Sequence, residues 1–411
     1  MGKKVGLSRH ERGGTLEKNW KGLSWAGLIA LALVGCSGNG AGVDMAGRAV
    51  GAQQADVIVP ESSQEMPEDI GYRAHTNHLI STLPTRATGP SGLSPAQVKA
   101  AYNVPASAGT GAIAIVDAYH YDAALKDFNT FSTQFGLPTE TSTNANASTN
   151  KVLQVVYASG SKPATDVGWN QEAALDIEWA HAMAPKAKIY LVEAGSSSFA
   201  DMMKAVNVAK AQPGVRQVSM SFGGTEAASL YTSYDSYFVQ NGVSFFASGG
   251  DTGGTRSFPA LSKNVIAVGG TTLKMSGNTV VSQTAWSGTG CGGSAYEAIP
   301  TFQGSVASII GSKRAGTDIS AVADPSTGVA VYVGSWFVFG GTSVSCPIIA
   351  GIANASGVTR ASSSAQATAL YSKKGTTSFR DVTSGTAGSF AAKAGWDYPT
   401  GLGTPYGVTA F

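Results

Sequence analysis

Cysteine, histidine and charge are all scarce in this chain of 411 residues, which has three cysteines, five histidines and 13% charged side chains. Three cysteines exclude a disulfide framework. The charged fraction is about half the ~25% usual in globular proteins. That depletion suits a protein facing acid or the cell exterior, where carboxylate networks fail on protonation. A net charge of +2, without a basic cluster beyond the first two dozen residues, excludes a dedicated nucleic-acid binder. No apolar run reaches the roughly 20 residues of a membrane-spanning helix. No Gly-x-Ser-x-Gly elbow occurs, which removes the α/β-hydrolase arrangement. His10, His75, His78, His120 and His181 lack any local Ser/His/Asp signature. All five are expected to be surface polar groups or satisfied side chains.

Glycine is abundant, at 52 residues. The most informative glycines lie in the run from Gly340 to Gly351, Gly-Gly-Thr-Ser-Val-Ser-Cys-Pro-Ile-Ile-Ala-Gly. The first two let the backbone turn sharply and let another chain approach closely. Ser343 follows at the start of a small-residue helix, where free N–H groups support negative charge. This pattern fits a nucleophile and equally a plain turn before a buried helix. A serine nucleophile needs a base, since its free hydroxyl is too weak.

Carboxylates supply that base better than the histidines do. The stretch Gln171 to Ala184 reads as a helix ended by Pro185. Glu172 and Asp176, four apart, share one face, and like charges at that spacing repel unless they share a proton or a task. His181 falls on the opposite face. A solvated acidic helix edge is the competing reading of the pair. Further on, the apolar run Val243 to Ala247 feeds a Ser-Gly-Gly-Asp-Thr-Gly-Gly turn. Its Asp251 either bonds its own backbone or points into a cleft, because turns after parallel strands build active sites.

Glu172 to Asp176, Gly250-Asp251-Thr252-Gly253 and Gly341-Thr342-Ser343, in this order, resemble the sedolisin family of serine-carboxyl peptidases, relatives of the subtilisins. Gly92 to Tyr102, Ser219 to Gly224 and Asp318 to Pro325 are similar to its domain entry, its substrate-lining strand and the run before its nucleophile. The resemblance covers about residues 92–411. It implies that Ser343 attacks the scissile carbonyl, Glu172 takes its proton, Asp176 orients Glu172, and a protonated Asp251 stabilises the oxyanion. It also implies polypeptide substrates and a preference for acid. Phe222 stands where many members have tryptophan, and Asp117 is either an acid supporting the site or a strand-end turn residue. The C-terminal segment resembles the family's calcium loop. Carried over, one ion takes the Asp381 and Asp397 carboxylates with the Val382, Lys393 and Gly395 carbonyls. Lys393 departs from the glycine usual there.

Alternating apolar and helical runs predict an α/β fold with a parallel sheet covered on both faces, within a single catalytic domain. The expected order is strand 112–117, helix 171–184, strand 188–193, helix 199–211, strand 216–222, helix 230–240, strand 243–247 and strand 264–268. Residues 1–36 read as an export signal: a basic start, the short apolar run Leu23 to Val34, then Gly35-Cys36. Leu33-Val34-Gly35-Cys36 is similar to a bacterial lipoprotein signal, which would lipidate Cys36 and tether the protein to a membrane. An ordinary secretory signal remains the alternative. Residues 37–91 read as a linker or arm rather than the family's long prodomain, and residues 92–411 as the peptidase domain. The sequence thus predicts an exported, monomeric acid peptidase. A catalytically silent peptide- or surface-binding relative is the runner-up. A different serine hydrolase, including a histidine-based subtilisin, is third.

Overall fold

The structure, a computed structural model, describes residues 56–82 and 89–411, together with 1–2, 42–43 and 49–50. Met1–Ala52 and Gln53–Phe411 are separate compact units. In the first, the described residues include one antiparallel pair, Gly42–Val43 with Ala49–Val50. The apolar leader and Cys36 lie outside the described residues. Among the described residues no helix is long and apolar enough to cross a membrane.

The second unit is built on an eight-stranded sheet. Its strands run in the order Thr279–Ala285, Ile266–Ser276, Ser244–Ser248, Val215–Met220, Ala112–Ala118, Lys188–Ala194, Leu153–Tyr157. Ile319–Val322 adds to Ile266–Ser276 in parallel. Every pairing is parallel except the hairpin of Ile266–Ser276 with Thr279–Ala285. Ala112–Ala118 is buried along its whole length, as a strand covered on both faces must be. Alternate residues serve opposite faces. Ile113 and Ile115 join one apolar cluster with the Val167–Met183 and Thr342–Ala355 helices. Ala114 and Val116 join another with the Phe199–Lys210 helix. The expected α/β sheet with helices on both faces is therefore present.

The predicted elements fall within a few residues of those observed. The acidic helix starts earlier than expected, at Val167, because Asp166 caps it by accepting from the Trp169 N–H at 3.0 Å. The helix expected over 230–240 is an α-helix over Ala228–Tyr234 that tightens into a 3₁₀ turn over Asp235–Phe238. Two helices cross closely at Gly351, where any Cβ would sit 2.6 Å from the Met183 Cβ. That approach locks the Ser343 helix against the Glu172 helix.

The segment read from sequence as an arm behaves differently over residues 56–82. His75–Thr76 pairs antiparallel with Phe222–Thr225, and Leu79–Ser81 pairs antiparallel with Ser335–Gly340. Residues 75–80 are buried. Periodicity could not reveal this, because two very short strands borrow their partners from residues more than a hundred positions away.

Candidate active site

Ser343 is the second residue of the Thr342–Ala355 helix and is sealed from solvent. Gly341 caps that helix start with φ of 97°, a left-handed backbone that favours glycine. A Cβ there would collide with the Asn77 carbonyl oxygen and with Asp251 Oδ2, so both oxygens lie beside the same point. Pro347 sits inside the helix and cannot donate to the Ser343 carbonyl four residues back. Ser221 Oγ lies 3.5 Å from that carbonyl.

The structure brings all four predicted side chains to one buried region. Glu172 and Asp176 are each 0% exposed, so the acidic face is no solvated helix edge. Asp176 Oδ1 accepts from Ser221 Oγ at 2.7 Å. Asp251 Oδ1 accepts from the Thr342 N–H at 2.7 Å and the Thr342 hydroxyl at 2.8 Å. Asp251 thereby caps the nucleophile helix from outside it. Gly250 N–H donates to Thr342 Oγ1 at 3.0 Å and fixes the turn.

Several carboxylate oxygens in this region have no donor: Glu172 Oε1, Asp176 Oδ2, Asp251 Oδ2 and both oxygens of Asp117. Ionised oxygens stripped of water and donors are costly, which favours protons on Asp117, Asp176 and Asp251. Burial pushes Asp251 up to about 8, against the opposing pull of its bonds to Thr342. Burial raises Asp117 well above the usual carboxylate range, with Glu172 and Glu193 adding repulsion. Burial also raises Asp176 strongly, with Asp117 and Glu172 contributing. Asp117 therefore belongs to the acid cluster and is not a strand-end turn residue. Asp251 Oδ2 has no hydrogen-bond partner and lies, like the Asn77 carbonyl oxygen, beside Gly341.

Sequence reasoning missed what occupies the cleft. The Ser343 N–H donates to the Asn77 carbonyl at 2.9 Å, and the Asn77 N–H donates to Ser343 Oγ at 3.1 Å. Ser343 Oγ–H turns to the Ser221 carbonyl at 3.2 Å rather than to Glu172. The Asn77 amide donates to Ser248 Oγ at 2.7 Å. His78 Nδ1 lies 2.9 Å from Glu172 Oε2, and its ring stacks on Phe339 at 5.4 Å. His78 is thus a satisfied side chain, as expected, but its partner is the expected base. No local pattern in the sequence marks Asn77 or His78.

The other histidines have structural partners. His120 Nδ1 sits 2.6 Å from Glu193. His181 meets the Pro138 carbonyl at 2.9 Å, and burial lowers it to about 4. Neither is bonded to Ser343. Phe222 is buried and lies in register with Thr76. Cys291 and Cys346 are both buried and free. His10 and Cys36 fall outside the described residues.

The predicted calcium residues gather at the C-terminal loop. Asp397 is buried and Asp381 exposed. Asp397 accepts from the Thr400 N–H at 2.8 Å and the Lys393 N–H at 2.9 Å, and Asp381 accepts from the Gly395 N–H at 2.8 Å. Val382 is buried beside them in sequence. Burial raises the Asp397 carboxyl, and the nearby Asp381 charge raises it further. Two crowded carboxylates with spare lone pairs among loop carbonyls fit a hard cation, whose charge would relieve that repulsion. Among the described residues no group of three or more His, Cys, Asp or Glu side chains is placed to hold a metal ion. Backbone carbonyls would have to complete the shell.

A model of the subtilase family matches residues 160–356, a span containing Glu172, Asp176, Asp251 and Ser343. The chain is 31% identical to kumamolisin of Bacillus sp. (strain MN-32), covering 59% of this chain and 50% of that protein. It is 30% identical to sedolisin of Pseudomonas sp. (strain 101), covering 64% of this chain and 52% of that protein. The chain spans about half the length of these relatives. Among solved structures, Pseudomonas sedolisin, a serine-carboxyl proteinase complexed with two molecules of pseudo-iodotyrostatin, superposes with a TM-score of 0.65 at 26% identity. That alignment covers 77% of this chain and 96% of the other.

Proposed function

We propose that this chain is a member of the sedolisin family, an exported peptidase that hydrolyses peptide bonds in acid, as its likeness to kumamolisin and sedolisin supports. Ser343 is the nucleophile, Glu172 the base, Asp176 the partner that holds and shares charge with Glu172, and Asp251 the oxyanion donor. The observation that carries this reading is the Asn77 carbonyl accepting the Ser343 N–H, with Asp251 Oδ2 beside the same Gly341 position. An oxyanion forming on that oxygen would meet a backbone donor and, while Asp251 is protonated, a second donor in a dry site. Such preorganised donors supply the largest share of barrier lowering in acyl transfer.

The proton path uses the same residues. Ser343 Oγ–H passes its proton to Glu172, whose Oε1 has no other partner. Asp176, clamped by Ser221, stands one helical turn from Glu172 on the same face and orients it. Glu172 returns the proton to the leaving amine. The requirement for a protonated Asp251 makes the reaction fail at high pH.

The C-terminal loop is proposed to hold one calcium ion on Asp381, Asp397 and the Val382, Lys393 and Gly395 carbonyls. When bound, the ion neutralises the two carboxylates and fixes the loop. No step of the reaction involves it. Export rests on the leader, with Cys36 proposed as a lipidated residue that tethers the protein to a membrane. The protein is proposed to act as a monomer.

The deciding experiment is a peptide-library digest from pH 3 to 7 with purified protein and its Ser343→Ala variant. Cleavage in acid by the wild type alone supports the reading. Binding of peptides by both proteins, with cleavage by neither, favours a silent peptide-binding relative.

A further inference from the structure

We propose that Asp122, His120, Glu193 and Asp117 form a proton path from solvent to the buried pair Glu172 and Asp176, with the His120 imidazole as its relay. The inference rests on the peptidase reading above and adds to it the route by which acid reaches the site.

The acids need such a route because they are dry. Glu172 and Asp176 are 0% exposed and Asp117 is 1% exposed. Both Asp117 oxygens lack a donor, which makes the ionised form costly. A proton must therefore cross from solvent to this cluster when the protein passes from neutral pH into acid.

The fold lays a line of ionisable groups against one member of the cluster. Asp117 and Glu193 are in-register neighbours on the parallel strands Ala112–Ala118 and Lys188–Ala194. Neighbouring strands lie about 4.8 Å apart, and in-register side chains share a face. Glu193 Oε2 lies 2.6 Å from His120 Nδ1, and Glu193 Oε1 accepts from the Tyr121 N–H at 3.0 Å. The other ring nitrogen, Nε2, lies 3.0 Å from Asp122 Oδ1. His120 and Glu193 are buried, whereas the Asp122 side chain is 62% exposed. At the inner end, burial and then repulsion from Glu172 and Glu193 raise Asp117. Asp117 in turn helps to raise Asp176. Asp117 thus feels both the line and the catalytic pair.

The backbone is bent to make this line. Tyr119 has φ of 65°, in the left-handed region that bulky side chains rarely adopt. Its N–H donates to the Ala194 carbonyl at 2.9 Å, at the end of the neighbouring strand. The turn sets His120 beside Glu193. Outliers of this kind cluster at functional sites, where the surroundings hold them in place. The other neighbours of His120 leave its two nitrogens to the carboxylates. Lys162 is bonded to Asp122, and Tyr157 presents its ring at 5.5 Å, close to edge-on.

The transfer balances with a solvent proton as the only reactant. Asp122 takes that proton and gives it to His120 Nε2, while the Nδ1 proton passes to Glu193 Oε2. The imidazole is left neutral as its other tautomer, since a neutral ring donates from one nitrogen and accepts at the other. Glu193 passes the proton to Asp117, beside Glu172 and Asp176. On return to neutral pH the same steps run backward. His120 never touches substrate and acts only through Glu193.

Purified protein is jumped from pH 8 to pH 4 in a stopped-flow mixer with a fluorogenic peptide. His120→Gln has an amide that bonds a carboxylate but relays no proton. It should reach its steady rate after a lag about tenfold or more longer than the wild type, with a final rate within about threefold. His120→Ala should show the same lag, shortened by added imidazole and not by pyrrole, which has the ring shape without the second nitrogen. A purely structural role for His120 would not separate the two compounds. Lags equal to the wild type in both variants, or equal rescue by pyrrole, overturn the path. Proton uptake after the same jump, read with an indicator dye in the Ser343→Ala background, needs no peptidase activity. Uptake slowed there by His120→Gln, with no peptide cleaved by the wild type, keeps the path and removes the peptidase reading. Uptake equally fast with and without His120, with peptide cleaved by the wild type, overturns the path and keeps the peptidase reading.

Discussion

His78 Nδ1 and Glu172 Oε2 lie 2.9 Å apart, with both side chains sealed from solvent. The residue proposed as catalytic base is thus already engaged by a residue 94 positions earlier in the chain. An empty cleft would leave that carboxylate free for Ser343. The contact makes the N-terminal segment both an occupant of the site and a restraint on it.

Ser343→Ala should abolish cleavage of added peptides, by roughly 10⁴-fold or more. The fold should survive, because the change removes one hydroxyl whose bonds are to the Ser221 carbonyl and the Asn77 N–H. Melting and a cleavage assay on one sample check both halves. Full activity in the variant contradicts the mechanism.

Glu172→Gln and Asp176→Asn should each cost about 10²–10⁴-fold in rate, the range of a general base. The double variant should lose little more than the worse single change, since the two act together. Inactivation by His120→Ala or His181→Ala, with the carboxylate variants active, would restore a histidine-based mechanism.

Activity should fall as pH rises toward and through about 8, where Asp251 loses its proton. Stability should follow the same direction. Asp251 has a folded pKa raised above its ordinary 3.8, so its contribution is complete below 3.8 and declines until about 8. Asp117 and Asp176 act in the same sense. Each loses its contribution as pH rises toward its raised pKa. His181 opposes them: lowered to about 4 from 6.5, it loses stability as pH falls between those values. Glu178, Glu193 and Asp397 are raised as well, while His75, Asp122 and Glu140 act with His181; the raised, buried carboxyls are the larger set and leave a net gain in acid. The melting temperature should be higher at pH 5 than at pH 8, and Asp251→Asn should flatten the difference. A protein that melts higher at pH 8 contradicts the buried protons.

Chelation should lower the melting temperature by about 2 °C or more, the scale expected when a tightly bound ligand of the folded state is removed. Affinity for calcium should weaken in acid as Asp381 and Asp397 take protons. Unchanged melting, together with no metal by elemental analysis, refutes the site.

Cys36→Ser should move the protein from the membrane fraction to the soluble one. Equal partition of Cys36→Ser and the wild type would leave an ordinary secretion signal.

The sheet and its helices were legible in the sequence because they depend on local pattern. The apolar run Ile113 to Val116 declares a doubly covered strand, and the residues from Gln171 to the Pro185 stop declare a helix. Glu172, Asp176, Asp251 and Ser343 stood out through spacing and turn chemistry, which are also local. Burial of the acids was not legible: a Glu–Asp pair four apart reads the same on a wet face or a dry one. Only the packing of the Val167–Met183 helix against the Ser343 helix made it dry, and so raised Asp176. The occupied cleft was beyond the sequence altogether. Asn77 and His78 are ordinary residues between two very short strands, and their positions are set by partners near residues 172, 222, 248, 340 and 343. Backbone pairing with distant strands leaves no periodic signature in the segment that is gripped. The chain's own pattern therefore determined the fold and the chemistry it can attempt, and tertiary contact alone decided what lies against Ser343.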